Sequence, residues 1–265
     1  MRIIRSVALA GACALAACER EPVEWRERAR LDAAAIAAAG PAWRIAVDAQ
    51  GIARVARDTA PAAAPPAAAC PGSLAVAREG DGVWHAAWFR ARDDSSVVLL
   101  AARSRDGGVT WTAPMPADDR DRGRRGCTRP APAMVADSST GFVHVVYYLE
   151  PDGGGAVWLV HSMDDGASWH PPLALMFGAD PAAAGVAASG DTVLAAFESP
   201  NANEGWIDLA ISVSAGHAIG QRLIAVSSRS VPARAPRVAL RGRAFAVAWI
   251  TAIGALAMVR TGALR

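Results

Sequence analysis

Two short stretches of the chain combine a hydroxyl, a carboxylate and an indole ring at the same spacing. Ser104–Trp111 reads SRDGGVTW and Ser162–Trp169 reads SMDDGASW, so both fit the pattern S-x-D-x-G-x-[ST]-W; we call them the first and second boxes. A serine near a carboxylate can belong to a nucleophilic catalyst, but such a serine needs a general base beside it. Neither box supplies that base, so the pattern favours a structural role over a catalytic one.

The residue types in the boxes are those that stabilise a tight turn. An Asp carboxylate accepts backbone N–H groups, glycine permits unusual backbone angles, hydroxyls add local bonds, and tryptophan buries a large ring. A third box, SVSAGHAI at residues 212–219, has Ser214 for the aspartate and Ile219 for the tryptophan, which suggests a stabilising device under weaker constraint. The residues predicted to be structural are Ser104, Asp106, Gly108, Thr110, Trp111, Ser162, Asp164, Gly166, Ser168 and Trp169.

The chain around the boxes repeats with a period of about 50 residues. Four alternating runs align so that an aromatic residue falls at the same place in each: GVWHAAWF (82–89), GFVHVVYY (141–148), DTVLAAFE (191–198) and RAFAVAWI (243–250). A shorter apolar run precedes each of them and another follows it. Alternation predicts strands, and repeats of several short strands are typical of propeller blades. His85 and His144 are equivalent in this alignment, which favours a shared packing role.

The boxes resemble the Asp-box, or bacterial neuraminidase repeat, of sialidases and related propellers. In that family the box lies between the third and fourth strands of a blade. The resemblance covers the chain from about residue 69 onwards and implies an all-β, sialidase-like β-propeller of four-stranded blades. Four repeats and one further hairpin predict four or five blades, with an open ring as the alternative. Because the last repeat lacks its outer strand, we expect the N-terminal hairpin, whose residues 43–47 (WRIAV) resemble a post-box strand, to close the propeller.

In sialidases the face opposite the boxes carries the active site. The resemblance implies a Tyr nucleophile paired with a Glu, an Asp acid/base, and three arginines that clamp a substrate carboxylate. Tyr147 and Tyr148 are the only tyrosines, and strand alternation predicts that one of them is buried. The catalytic residues are therefore left open. The candidates are Arg129, Asp119, Glu198 and Arg234, for which solvated loops are the alternative.

The first 17 residues have the composition of an export signal. Arg2 and Arg5 precede an apolar run too short to span a bilayer as a helix. The run ends in LAAC, which resembles a bacterial lipobox and implies cleavage before Cys18 and lipidation of that residue. Cys13 as the acceptor and a plain signal peptide are the alternatives. The sequence thus predicts an exported lipoprotein, anchored in a membrane and facing the periplasm or the cell surface.

Charge and cysteine content limit the possible partners. The net charge of +2 falls to zero once the signal and its two arginines are removed, and a neutral protein has no electrostatic reason to bind nucleic acid. Cys70 and Cys127 form an even pair in an oxidising compartment, so a disulfide is predicted, with two free thiols as the alternative. No His/Cys cluster shows metal-ligand spacing along the chain, and neither a metal nor a cofactor is predicted.

These observations divide the chain into five predicted segments. They are a signal peptide (1–17), a tether (18–41), a hairpin (42–58), a Pro/Ala linker (59–69) and the propeller (70–265). The predicted function is a binding or scaffolding module of the cell envelope whose ligand is a glycan or a protein. The alternative is a glycoside hydrolase of the exo-sialidase type.

Overall fold

The computed structural model describes residues 21–40, 43–57, 61, 70–80, 82–201, 205–220, 223–251 and 255–265. The predicted signal peptide and Cys18 lie outside these residues, as does the Pro/Ala linker apart from residue 61. Within the described residues, no helix is long and apolar enough to cross a membrane.

The N-terminal part contains one strand, one short helix and one hairpin. These are β1 (Val23–Arg30), α1 (Ala33–Ala39), β2 (Trp43–Val47) and β3 (Ala53–Arg57). The Asp32 carboxylate caps α1 by accepting the Ala34 backbone N–H at 2.9 Å. The hairpin turns through Gly51, whose φ of 80° lies in the left-handed region that glycine tolerates.

Four four-stranded antiparallel sheets follow. The first blade contains β4 (Ala75–Arg78), β5 (Trp84–Ala91), β6 (Val97–Ser104) and β7 (Met115–Asp118); the second contains β8 (Ala133–Asp137), β9 (Phe142–Leu149), β10 (Ala156–Ser162) and β11 (Leu173–Phe177); the third contains β12 (Ala184–Ser189), β13 (Thr192–Glu198), β14 (Ile207–Ser212) and β15 (Ile224–Ala225); the fourth contains β16 (Ala233–Arg241), β17 (Ala244–Thr251) and β18 (Ala257–Leu264). This architecture confirms the predicted all-β fold built from blades.

The outer strand of the fourth blade is β1. It pairs antiparallel with β18, with Val23 opposite Leu264 and Arg30 opposite Met258. An N-terminal segment does complete the last blade, but the expectation that residues 43–47 supply the strand is wrong, and residues 23–30 are not a tether. Trp25 contributes to the pairing because its ring packs edge-on against Phe245, with 5.4 Å between the ring centroids.

The hairpin of β2 and β3 forms a separate two-stranded sheet beside the fourth blade. Trp43, Ile45 and Val47 on β2 are buried in one apolar cluster with Ala246 and Ala248 of β17. The first strands of the four blades and β2 together line a central channel of about 1080 Å³. The described residues therefore form four full blades and a two-stranded fifth unit around one channel.

The apolar core lies between blades, because each blade packs a face against its neighbour. Tyr147 belongs to the cluster between the first and second blades, whereas Tyr148 belongs to the cluster between the second and third. Both tyrosines are only 1% exposed, so the expectation that alternation buries one of them is wrong. A middle strand of a propeller blade is covered on both faces, and alternation then no longer separates buried from exposed positions.

Candidate functional site

The first box forms the turn between β6 and β7, the third and fourth strands of its blade. The Ser104 hydroxyl donates to the Asp106 carboxylate at 2.7 Å and accepts the Gly108 backbone N–H at 2.9 Å. The Thr110 hydroxyl donates to the other oxygen of Asp106 at 2.5 Å. This bond from Thr110, with further bonds from backbone N–H groups and Ser104, lowers the pKa of Asp106 to about 2.

The second box, between β10 and β11, repeats these bonds. Ser162 donates to Asp164 at 2.8 Å and accepts the Gly166 N–H at 2.8 Å, and the Ser168 hydroxyl donates to Asp164 at 2.5 Å. Burial opposes ionisation of Asp164, but the bonds from Ser168 and Ser162 outweigh it and lower the pKa of this carboxyl to about 2. The Trp169 ring packs against the core between the first and second blades.

The third box keeps the same turn without an aspartate. Ser212 accepts the Gly216 N–H at 3.0 Å, and the Ser214 hydroxyl accepts the Ala218 N–H at 3.0 Å, as the carboxylates do in the other boxes. The serine and threonine hydroxyls of the boxes, and the carboxylates of Asp106 and Asp164, thus bond within their own turns. These bonds stabilise the turns and leave the box side chains without a free nucleophile.

The connection from β7 to β8, on the face opposite the boxes, contains a buried ion pair. Arg129 and Asp121 have fully buried side chains and meet through two contacts, at 3.2 and 3.3 Å. Asp121 also accepts the backbone N–H groups of Val97 and Glu150, both at 2.9 Å. Arg129, a candidate for binding a substrate carboxylate, therefore has a structural role, and its guanidinium is not accessible to solvent.

A disulfide joins Cys70 to Cys127, with 5.1 Å between the Cα atoms. It links the segment before β4 to the connection before β8, which confirms the predicted disulfide. Disulfides persist in oxidising compartments, so this bond is typical of an exported protein.

Both tyrosines are engaged in internal hydrogen bonds. The Tyr147 hydroxyl donates to Asp118 at 2.7 Å, and Asp118 also accepts two bonds from the Arg120 side chain. The Tyr148 hydroxyl donates to the Gly178 carbonyl at 3.1 Å. Burial raises the pKa of Tyr147 well above its usual value and that of Tyr148 to about 12. Neither side chain has the access or the acidity that a nucleophile needs.

The remaining catalytic candidates do not gather at one place. Asp119 is exposed on the connection between the first and second blades, whereas Glu198 and Arg234 lie between the third and fourth. Glu198 accepts the Ala235 N–H at 2.7 Å and the Ala183 N–H at 3.5 Å, and burial raises its pKa. These two bonds connect the inner strands of adjacent blades, so Glu198 also has a structural role.

The central channel is the recess with the clearest charge character. Among its described lining residues are four arginines and two tryptophans, and no aspartate or glutamate: Arg44, Arg78, Arg237, Arg241, Trp43 and Trp84. The Arg237 guanidinium lies 3.9 Å from the Trp43 ring centroid and donates to the Trp43 carbonyl at 2.8 Å, and burial lowers its pKa. The channel is therefore a cationic recess with aromatic walls.

The box face carries two clusters of titratable side chains that sequence reasoning missed. At the junction of the first and second blades, His85 contacts Glu79 at 2.7 Å and Asp165 at 3.6 Å. At the junction of the second and third blades, nitrogens of His161, His170 and His217 lie within 4.8 Å of one another. Each cluster combines residues from two repeats, and the alignment of repeats is the signal that could have placed them near neighbouring boxes.

No protein-family model matches the chain, and no curated protein matches it. A solved structure titled "Hadza microbial sialidase Hz136" superposes with a TM-score of 0.52 at 16% identity, covering 73% of this chain and 46% of its own. The phage phi92 endosialidase gives a TM-score of 0.49 at 7% identity, covering 71% and 35%. This chain thus spans less than half the length of either. The fold is a sialidase-like β-propeller, as predicted, and at these identities the likeness concerns the fold alone.

Proposed function

We propose that this chain is an exported binding module of the cell envelope, and that its ligand is an acidic glycan held at the central channel. The observation that carries the proposal is the four arginines on a lining with no described carboxylate. Guanidinium groups match carboxylates through paired hydrogen bonds, and aromatic rings offer flat apolar surface beside them. A protein that presents clustered acidic side chains is the second ligand class that this chemistry suits.

The engagement of the candidate catalytic groups supports binding rather than cleavage. Arg129 is sealed in an ion pair with Asp121, and Tyr147 is buried against Asp118. Glycoside cleavage generally needs two carboxyl groups on either side of the bond that breaks. The described lining of the channel supplies none. The sialidase-like fold is also compatible with a hydrolase of the exo-sialidase type, and turnover of a sialoside would support that alternative.

The anchoring part of the proposal rests on the lipobox resemblance at Cys18 and on the disulfide. An acylated cysteine would lie five residues before Val23, the first residue of β1. A spacer of that length spans at most about 18 Å, so the fourth blade would be held close to the membrane. After cell fractionation, the Cys18→Ala variant should be found in the soluble envelope fraction. The unaltered protein should sediment with membranes and incorporate labelled palmitate.

The ligand is tested by titration with an acidic sugar and its neutral core, sialyllactose and lactose. We expect binding of the acidic sugar alone, and weakening by roughly tenfold in the double variant Arg44→Ala/Arg241→Ala. Both arginines are exposed, and exposed Arg57 of β3, outside the channel lining, provides the matched control Arg57→Ala. Equal binding of the two sugars, or unchanged affinity in the double variant, would contradict the proposal.

A fluorogenic sialoside separates binding from hydrolysis. We expect no turnover by the purified protein. Turnover that is lost in Tyr147→Phe, which keeps the buried ring and removes the hydroxyl, would favour the hydrolase instead.

A further inference from the structure

Four of the five histidines in the chain gather at one point of the box face, between the second and third blades. His144 comes from β9, His161 from β10, His170 from the segment after the second box, and His217 from the third box. The ring centroid of His161 lies 4.5 Å from that of His170, 4.5 Å from that of His217 and 5.9 Å from that of His144. His161 is thus the centre of the cluster.

The two blades position these rings by different means. His161 and His170 flank the second box, where the His170 backbone N–H donates to the His161 carbonyl at 2.9 Å and places the side chains next to each other. His217 belongs to the third blade and lies in the cluster because the turn of the third box packs against His144 and His161 at Gly216. A Cβ on Gly216 would lie 3.3 Å from a nitrogen of His144 and 3.4 Å from one of His161, and its φ of 88° also favours glycine.

Hydrogen bonding leaves one nitrogen of His217 available as a ligand. Its Nδ1 lies 2.9 Å from the Ser214 carbonyl, which can only accept, so the proton is assigned to Nδ1 and the Nε2 lone pair is left for His161 or for an ion. Metal-binding histidines almost always donate their second nitrogen to a carbonyl or carboxylate in this way. The Nε2 atoms of His217 and His161 are 3.4 Å apart. Two nitrogens bound to one tetrahedral ion at about 2.05 Å are separated by about 3.3 Å.

The equivalent junction between the first and second blades has different chemistry. Arg103 stands at the position of His161 and pairs with Asp165 of the next box at 3.3 Å, and Arg105 contacts the same carboxylate. At that junction, ion pairs join the two blades, so two boxes can pack against each other without a histidine cluster. At the junction of His161 and His217, no such ion pair occurs among the described residues.

His144 adds a second observation. Its side chain is fully buried behind His161, and neither ring nitrogen has a hydrogen-bond partner among the described residues. Leu194 occupies the equivalent position in the third blade, also fully buried. An apolar side chain therefore fits this position, and the imidazole keeps two unpaired nitrogens beside the cluster at a cost that packing alone does not explain.

We propose that His161, His170 and His217 bind one divalent transition-metal ion, of the zinc, nickel or copper type, and thereby join the second blade to the third. Three imidazole nitrogens without a carboxylate suit these ions and not magnesium or calcium. His170 and His217 are solvent-accessible, so their rings can turn their lone pairs toward an ion above His161. The fourth position of a tetrahedral ion would face solvent and hold water or a ligand group.

The proposal is tested by calorimetric titration of the purified chain with ZnCl₂ after treatment with a chelator, and by the visible absorption of bound Co²⁺. We expect one ion per chain and a higher unfolding temperature in its presence. His217→Gln and His170→Gln should each weaken binding by roughly tenfold or more and abolish the thermal shift. Both residues are accessible, so these variants should keep the far-UV circular dichroism of the parent.

Two control variants locate the ion. Val213→Ala changes an exposed residue of the same turn and should bind zinc as the parent does. His85→Gln removes the histidine of the Glu79 and Asp165 cluster and should also leave binding unchanged. The proposal is overturned if the parent binds no more zinc than the double variant His170→Gln/His217→Gln. It is equally overturned if His85→Gln, rather than His217→Gln, loses the ion.

Discussion

Replacing Arg129 by alanine separates the structural reading of this residue from a catalytic one. The guanidinium is fully buried, pairs with Asp121 through two contacts, and lies 3.9 Å from Glu150. Its removal leaves the Asp121 carboxylate buried without a counter-charge. Arg129→Ala should therefore act on the stability of the whole first and second blades, whatever ligand the protein binds.

The magnitude follows from the burial of both partners. Breaking a fully buried pair by removing one partner costs about 3–5 kcal/mol, because the remaining charge stays desolvated. The two backbone N–H groups that Asp121 accepts offset part of this cost and place the expectation at about 3 kcal/mol. For a chain of this size, about 2–4 °C per kcal/mol converts that loss into a fall of about 6–12 °C in the unfolding temperature.

The assay is urea unfolding of the parent and three variants, monitored by tryptophan fluorescence. Arg234→Ala, at an exposed arginine, should stay within about 0.5 kcal/mol of the parent. The double variant Arg129→Met/Asp121→Asn should recover part of the loss, since no isolated charge remains. A loss below about 1 kcal/mol in Arg129→Ala, at an unchanged slope with urea, would refute this reasoning.

Three further outcomes are expected. Reduction of the Cys70–Cys127 bond opens a loop with a sequence separation of 57 and should lower the free energy of unfolding by about 4 kcal/mol, measured by urea unfolding with and without reductant. Ser162→Ala leaves a backbone N–H of the second box unpaired and should cost about 1–3 kcal/mol in the same assay. The lowered pKa values of Asp106 and Asp164 stabilise the fold above about pH 4, and this contribution disappears as the pH falls through about 2; Asp106→Asn/Asp164→Asn should flatten the acid limb of a thermal melting series.

Each of these has an outcome that contradicts it. Equal urea midpoints with and without reductant, once free thiols are verified, would show that the bridge does not constrain the unfolded chain. A loss below about 0.5 kcal/mol in Ser162→Ala would mean that the Gly166 N–H does not depend on this hydroxyl. An acid limb equally steep in the double aspartate variant would assign acid unfolding to other carboxyl groups.

The blades could be predicted from the sequence because each repeat contains the same local pattern of strands and turns. The aromatic residues and turn glycines recur at aligned positions, and recognising them requires no knowledge of the neighbouring blades. Sequence reasoning misses the strand β1 because VEWRERAR has five charged side chains on an outer strand, and only Val23 is fully covered. Sequence alone does not show that Arg129 is buried, because the ion pair that buries it forms only when the connection folds back on β6. The histidine cluster needs two adjacent blades, which no local spacing can show.

The pairing of β1 with β18 sets an order of events for the growing chain. Val23 is made first among the described strand residues, yet its partner Leu264 belongs to the last strand. Contacts of such long sequence separation form slowly, because the chain between them must be ordered first. A polypeptide interrupted before β18 would present an unpaired strand rich in arginine and glutamate, whose charges discourage pairing with other chains. The charged side chains that make β1 hard to recognise in the sequence would thus limit its pairing with other chains until β18 has been synthesised.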